Sequence, residues 1–295
     1  MREVSAVIAR SAVRYWLMER DEPDVVVLLH GLGSDHSGLA ELAERVTGRS
    51  VVVPDLPGFG ASAPLPGLNS LLAYAGFIDE LRRHLGVDRV AVAGHSLGAS
   101  IALVHAGRYP ETVDALALFN PVTGVSGFAG QLSRAYYDLG ASLPTQLARA
   151  WLTSRPAVWI ADQFVMRTRD PSRRRAILAQ DYVAYRRADL RAVQESFRSY
   201  YDTDFAGYAG RVTAPTLLIT GGRDGLAPPA SVRRLGKAMP GARDAVSGAP
   251  GGARLVVVDR AGHLFPAEQP DAAGALLDDF LVDRRSPVDN VERAL

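Results

Sequence analysis

The chain contains no cysteine. Disulfide frameworks and cysteine-ligated metals are therefore excluded, and any covalent chemistry must be carried by another side chain. Lysine is nearly absent as well: Lys237 stands alone, so almost all positive charge is arginine. We read that bias as compositional, although arginine also suits carboxylate and phosphate ligands. An excess of one charge sign is missing too. The 33 Lys and Arg against 32 Asp and Glu leave a net charge of +1, which gives no strong field for nucleic acid or an anionic membrane. Long apolar runs are lacking, and segments such as Val25–Leu29 are far too short to span a bilayer. Met1–Glu22 is broken by Arg2, Glu3, Arg10 and Arg14 and carries no apolar core or cleavage site, so no secretory leader is expected. These absences point to a soluble cytoplasmic protein without membrane or nucleic-acid partners.

A composition 47% hydrophobic and 22% charged is that of a globular chain. Its 295 residues fit one α/β domain, the more so with an insertion. Val4–Ala9 and Val13–Met18 read as an antiparallel hairpin. Val25–Leu29, Val51–Val53, Val90–Ala93, Val113–Phe119, Pro215–Thr220 and Leu255–Asp259 are short, largely apolar runs, as expected of strands buried on both faces. Helical patterns lie between them at Leu39–Val46, Leu71–Leu85, Ala99–Tyr109, Ala230–Met239 and Asp271–Val282. That alternation predicts βα units and a mainly parallel sheet. Pro240–Ala253 reads as a flexible loop, and the tail after Asp283 as a frayed end.

The rhythm breaks at Asn120–Ala214. Helical patterns recur there at Leu132–Leu139, Leu147–Thr153, Val158–Arg167, Arg173–Tyr185 and Leu190–Tyr201, with no strong strand run. Plain connections are far shorter. The segment 120–214 is therefore expected to be a helical cap over the carboxyl ends of the strands, where ligands bind in open α/β sheets. The core is then 1–119 together with 215–295.

Gly94-His95-Ser96-Leu97-Gly98 lies between a buried strand and a helix. This is the setting of a nucleophile elbow, a strained turn that exposes its serine above the sheet. A serine hydroxyl needs a base, and the base needs a carboxylate to orient it. Of six histidines, His263 is the best base, because it follows the last strand and a glycine turn late in the chain. His84 and His105 fall within helices, His30 and His36 flank an early loop, and the side chain of His95 is expected to point away from Ser96. Asp224 follows the strand Thr216–Thr220 and completes the order Ser, Asp, His. Its alternative reading is an ion pair with a neighbour such as Arg223. Asp55 precedes the serine and Asp259 lies too near His263. Asn120 occupies the other strand end where an acid could sit, but an amide does not stabilise imidazolium as a carboxylate does. Two backbone N–H groups should receive a tetrahedral oxyanion: that of Leu97, and that of Leu32 in His30-Gly31-Leu32-Gly33.

In this order, these motifs resemble the α/β-hydrolase superfamily. The similarity also includes Asp55-Leu56-Pro57-Gly58-Phe59-Gly60-Ala61-Ser62, Gly222-Arg223-Asp224 and Gly262-His263. It is closest to the serine-nucleophile branch of esterases and proline iminopeptidase-like enzymes with a helical cap. Ser96 counts against the aspartate-nucleophile epoxide hydrolases and haloalkane dehalogenases. The resemblance implies an eight-stranded, mainly parallel sheet flanked by helices. It also implies cleavage of a carboxylic ester, thioester or amide of a small molecule through an acyl-enzyme, with no cofactor or metal. Both a monomer and a homodimer fit.

Two other readings stay open. The same residues could serve acyl transfer, carbon–carbon cleavage in a diketone, perhydrolysis or ring closure, because water access depends on the cap. A ligand receptor on this fold is the third, which a degraded triad would favour. Arg167, Arg169, Arg173, Arg174, Arg175, Arg186, Arg187 and Arg191 are interleaved with Asp170, Asp181 and Asp189. That pattern reads as a solvated helix face; an arginine facing the pocket would instead imply an acidic substrate.

Overall fold

A computed structural model describes residues 1–124, 165–240 and 253–283, together with 131, 134, 135, 137–140, 143, 145–152, 154, 156 and 159. Its frame is an eight-stranded sheet, built from β1 (Arg2–Ile8), β2 (Ser11–Met18), β3 (Val25–Leu29), β4 (Ser50–Pro54), β5 (Val90–His95), β6 (Val113–Phe119), β7 (Thr216–Gly221) and β8 (Ala253–Val258). The strand order is β1-β2-β4-β3-β5-β6-β7-β8. β2 runs antiparallel to β1 and β4, and all other pairings are parallel. The antiparallel pair is the expected hairpin. Its two-residue turn places Ala9 and Arg10 at φ of 51° and 57°, the left-handed pair that suits a right-twisted hairpin. The Glu80 carboxylate accepts the Ala9 N–H at 2.8 Å.

The apolar runs are strands because both sheet faces are covered. On β3, Val25, Val27 and Leu29 enter one core cluster while Val26 and Leu28 enter the other. Val90 and Val92 divide from Ala91 and Ala93 in the same way on β5. The first layer is made by α2 (Leu71–His84), α3 (Leu97–Arg108) and, after the insertion, α8 (Pro229–Ala238). The second is made by α1 (Ala40–Glu44), α9 (Phe265–Glu268) and α10 (Pro270–Asp283). Each Val, Leu or Phe fully buried in this way contributes on the order of 1.5–3 kcal/mol.

α3 is buried from Leu97 to Gly107, all but its last residue, which its small residues permit. A Cβ on Gly98 would overlap the Leu29 carbonyl, and one on Gly107 would overlap the Tyr208 carbonyl. Chain thus passes on both sides of this helix at backbone contact.

Between β6 and β7 the described residues include no strand. They form α4 (Thr145–Leu152), α5 (Pro171–Arg187), α6 (Leu190–Asp202) and α7 (Phe205–Ala209). Asp170 caps α5 through the Ser172 and Arg173 amides, and Asp189 caps α6 through the Ala192 amide at 2.9 Å. Val193 and Tyr200 of α6 and Phe205 of α7 belong to the same cluster as α3, so this end of the insertion is packed on the sheet's helical layer. The arginine face is mostly solvated: Arg169, Arg175, Arg186 and Arg187 are exposed. Arg173 is engaged, donating to the Ala267 carbonyl and pairing with Glu41, both at 2.6 Å.

Several elements differ from the sequence expectation. The helix expected over Val158–Arg167 falls largely outside the described residues, and Met166 and Arg167 are not helical. Their backbone is committed elsewhere, as shown below. The helix expected at Leu132–Leu139 is helical at its described positions. α7 and α9 were not expected. β8 begins at Ala253, two positions before the expected start. Residues 241–252 of the expected loop and the tail beyond Asp283 lie outside the described residues.

Candidate active site

The turn between β5 and α3 holds Ser96 at φ 54° and ψ −114°. A non-glycine residue there costs on the order of 1–3 kcal/mol and persists only where its surroundings enforce it. Here the enforcement is visible. The Ser96 N–H donates to the Phe119 carbonyl at 3.0 Å, and its carbonyl accepts the Ser100 N–H at 3.0 Å. Gly94 and Gly98 flank it because a Cβ on Gly94 would run into the Gly98 backbone, as one on Gly98 would into Leu29. Ser96 is left half-buried at the carboxyl end of the sheet.

Asp224 is fixed by the turn after β7. Its N–H donates to the Gly221 carbonyl at 3.1 Å, while the Arg223 N–H donates to the Ala261 carbonyl, two residues before His263, at 3.0 Å. The buried carboxylate accepts from the Leu226 and Ala227 amides at 2.8 and 2.9 Å. Its other oxygen, Oδ2, accepts from His263 Nδ1 at 2.8 Å and from Asn120 Nδ2 at 2.7 Å. Burial alone would raise this carboxyl. Interaction with His263 and these hydrogen bonds outweigh it, holding Asp224 well below the usual carboxylate range. Its partners are these four donors rather than Arg223, whose side chain is exposed.

His263 is buried, and each of its polar groups is used. The N–H donates to the Val165 carbonyl at 3.0 Å. The carbonyl accepts from His95 Nε2 at 2.8 Å. Nδ1 faces Asp224, and Nε2 meets Ser96 Oγ at 2.8 Å. A carboxylate only accepts, so Nδ1 carries the ring hydrogen and Nε2 is left to accept from the serine hydroxyl. The three residues expected to act together are thus joined in one hydrogen-bonded chain, Asp224–His263–Ser96.

Of the two expected amide donors, Leu97 directly follows Ser96, and Leu32 follows Gly31, which stands beside Ser96. Leu97 supplies the first amide of α3, which has no preceding helical carbonyl. Leu32 is in a turn closed by the Ser34 N–H on the Gly31 carbonyl at 3.2 Å. Gly33 holds its third corner at φ 72°, a conformation that favours glycine. A second need for glycine is steric: the Tyr185 ring of α5 occupies the space a Cβ would take. Gly31 stands beside the serine, with the place of its absent Cβ 3.4 Å from Ser96 Cβ.

His30, His105 and His36 have hydrogen-bond partners outside the Asp224–His263–Ser96 chain. His30 Nε2 accepts the Leu56 N–H at 3.0 Å, which assigns its hydrogen to Nδ1, facing the Gly31 carbonyl at 2.9 Å. His105 is buried, with Nδ1 on the Ala75 carbonyl at 3.0 Å. His36 donates through N and Nδ1 to one oxygen of Asp55, both at 2.8 Å, and Ala61 N donates to the other. Asp35, His36 and Asp55 form the only cluster among the described residues whose ligand atoms could gather round a metal. Its own hydrogen bonds account for it, since Asp35 caps the 3-10 turn His36–Leu39 through the Ser37 amide. No helix among the described residues is long and apolar enough to cross a membrane.

Three contributors escaped the sequence reading. Asn120 reaches Asp224, His95 reaches the carbonyl of His263, and Val165 receives its N–H. The Arg167 N–H also donates to buried Glu268 at 2.6 Å, which is why Met166 and Arg167 leave the helical path. Only Asn120 had a signal in the sequence, its place at a strand end.

A family model described as the alpha/beta hydrolase fold matches residues 24–270. The chain belongs to the α/β hydrolase family. This α/β hydrolase is 29% identical over 265 residues to a protein of Klebsiella pneumoniae subsp. pneumoniae named as a carbamate hydrolase, RutD, covering 87% of this chain and 91% of that one. It is 24% identical over 257 residues to lipase 1 of Psychrobacter immobilis, covering 83% of this chain and 73% of the lipase. Among solved structures, it is similar in fold to the enol-lactonase of Burkholderia xenovorans LB400. The TM-score is 0.79 at 20% identity, over 95% of this chain and all of the other. The relatives support hydrolase chemistry for this α/β hydrolase.

Proposed function

We propose that this protein is a serine hydrolase that cleaves a carboxylic ester, or the related thioester or amide, of a small molecule through an acyl-enzyme. The observation that carries the reading is the continuous chain Asp224 Oδ2, His263 Nδ1, His263 Nε2, Ser96 Oγ, with both links at 2.8 Å. His263 takes the Ser96 hydroxyl proton as Oγ adds to the carbonyl carbon, and Asp224 stabilises the resulting imidazolium. The amides of Leu97 and Leu32 receive the oxyanion. Collapse of the tetrahedral species expels the alcohol, which leaves with the proton from His263. Water, deprotonated by His263, then adds to the acyl-enzyme, and the acid departs as Ser96 recovers its proton. These residues need no cofactor for that sequence. The names of the relatives, a carbamate hydrolase and a lipase, support acyl chemistry without choosing the leaving group.

A fluorophosphonate probe tests the reading. Wild type is expected to be labelled, and Ser96→Ala to lose both labelling and hydrolysis of p-nitrophenyl acetate. Unlabelled wild type overturns the nucleophile, and labelling that survives in His263→Ala overturns the base.

A further inference from the structure

Asn120 closes β6 at φ 51°, and its side chain is buried 104 residues away in sequence from the carboxylate it meets. Its Nδ2 lies 2.7 Å from Asp224 Oδ2 and 3.2 Å from the carbonyl of Gly262, the residue before the base. Both groups only accept, so the amide nitrogen must face them. Among the described residues no donor meets Asn120 Oδ1, which is fully buried. Leaving a buried acceptor unpaired costs free energy. The side chain is therefore retained for its two N–H bonds. The backbone is pinned as well, since Asn120 N donates to the Ile219 carbonyl of β7 at 2.7 Å. One residue thus spans three strand ends: its own on β6, the acid's on β7 and the base's after β8.

We infer that Asn120 is a positioning residue, whose carboxamide locks the Asp224 carboxylate and the His263 loop into one register and holds the acid as an anion. This rests on the proposed roles of Ser96, His263 and Asp224. An aspartate at 120 would be nearly isosteric but would set a second acceptor against Asp224 and Gly262 O. The neighbouring negative charge would then favour the imidazolium form of His263.

The test uses Asn120→Asp and Asn120→Gly, both compatible with a positive φ. Wild type, the two variants and Ser96→Ala are compared for kcat, KM and the pH dependence of kcat/KM, with folding followed by circular dichroism. Losing a hydrogen bond to a charged group predicts a fall in kcat of about 10–100-fold in both variants, with KM within about twofold. In Asn120→Asp the acid limb of the profile should also move up by about one pH unit. A packing role alone would not move that limb. A folded Asn120→Asp with unchanged kcat and limb overturns the inference, as does unfolding of both variants, which would make Asn120 a structural residue. Activity retained in Ser96→Ala would instead overturn the underlying reading of the site.

Discussion

His95 holds His263 by its backbone: the Nε2–H of one ring donates to the main-chain carbonyl of the other residue at 2.8 Å. The residue beside Ser96 therefore supports His263. Burial pushes His95 down to about 4, so its ring is neutral and its single hydrogen sits on the nitrogen that faces the carbonyl. His95→Ala should lower kcat about tenfold with little change in KM, since one charge-neutral hydrogen bond and about 1 kcal/mol are lost. His95→Gln can place an amide N–H near the same carbonyl and should restore most of the rate. Equal losses in both variants would show that His95 acts by volume alone.

Stability should fall as the solution becomes mildly acidic. His105 is fully buried, and burial holds it at about 4, below the value of about 6.5 expected in the unfolded chain. Above that value both states are neutral and the folded state has its full stability. As pH falls, the unfolded chain takes up a proton that the folded chain refuses, so stability is lost between about 6.5 and 4. From pH 7.5 to 5, urea unfolding should show wild type losing about 2 kcal/mol more than His105→Gln. Parallel losses would refute this.

The elbow glycines and a loop glycine should respond differently to one methyl group. Gly98→Ala drives a Cβ into the Leu29 carbonyl, whereas Gly67 is surrounded by open space. The first change should destabilise by about 3 kcal/mol, and the second by less than about 0.5 kcal/mol. Thermal unfolding of the two variants separates these outcomes directly.

Gly33 and Tyr185 should show coupled energetics. Gly33→Ala clashes with the Tyr185 ring and strains a φ of 72°. Tyr185→Ala removes the clash but leaves about 1 kcal/mol of backbone strain. The double variant should therefore be less destabilised than the sum of the singles, with a coupling of at least about 1 kcal/mol. Additive unfolding free energies would disprove the contact.

The strands and the Ser96, Asp224 and His263 positions were legible because their signals are local. Val25–Leu29 is apolar throughout and opens with three valines, and Ser96, Asp224 and His263 each follow a strand and lie within two residues of a glycine. α7 was illegible because five residues with a central glycine carry no periodicity; its Asp204 cap and the α3 contact at Gly107 sustain it. Met166 and Arg167 were misread as helix because Glu268, which accepts the Arg167 N–H, lies about a hundred residues on. Asn120 was weighed only as a substitute acid. That it donates to Asp224 required knowing that the ends of β6 and β7 are adjacent.

The main-chain bond from His263 to Val165 also defines a seam for recombination. A transplanted insertion that rejoins the host chain upstream of Val165 keeps the native acceptor for the His263 N–H. One that rejoins at 215 discards it along with Arg167, the partner of Glu268. Grafts of the second kind should inherit a new substrate range only when the donor segment brings its own carbonyl to that point.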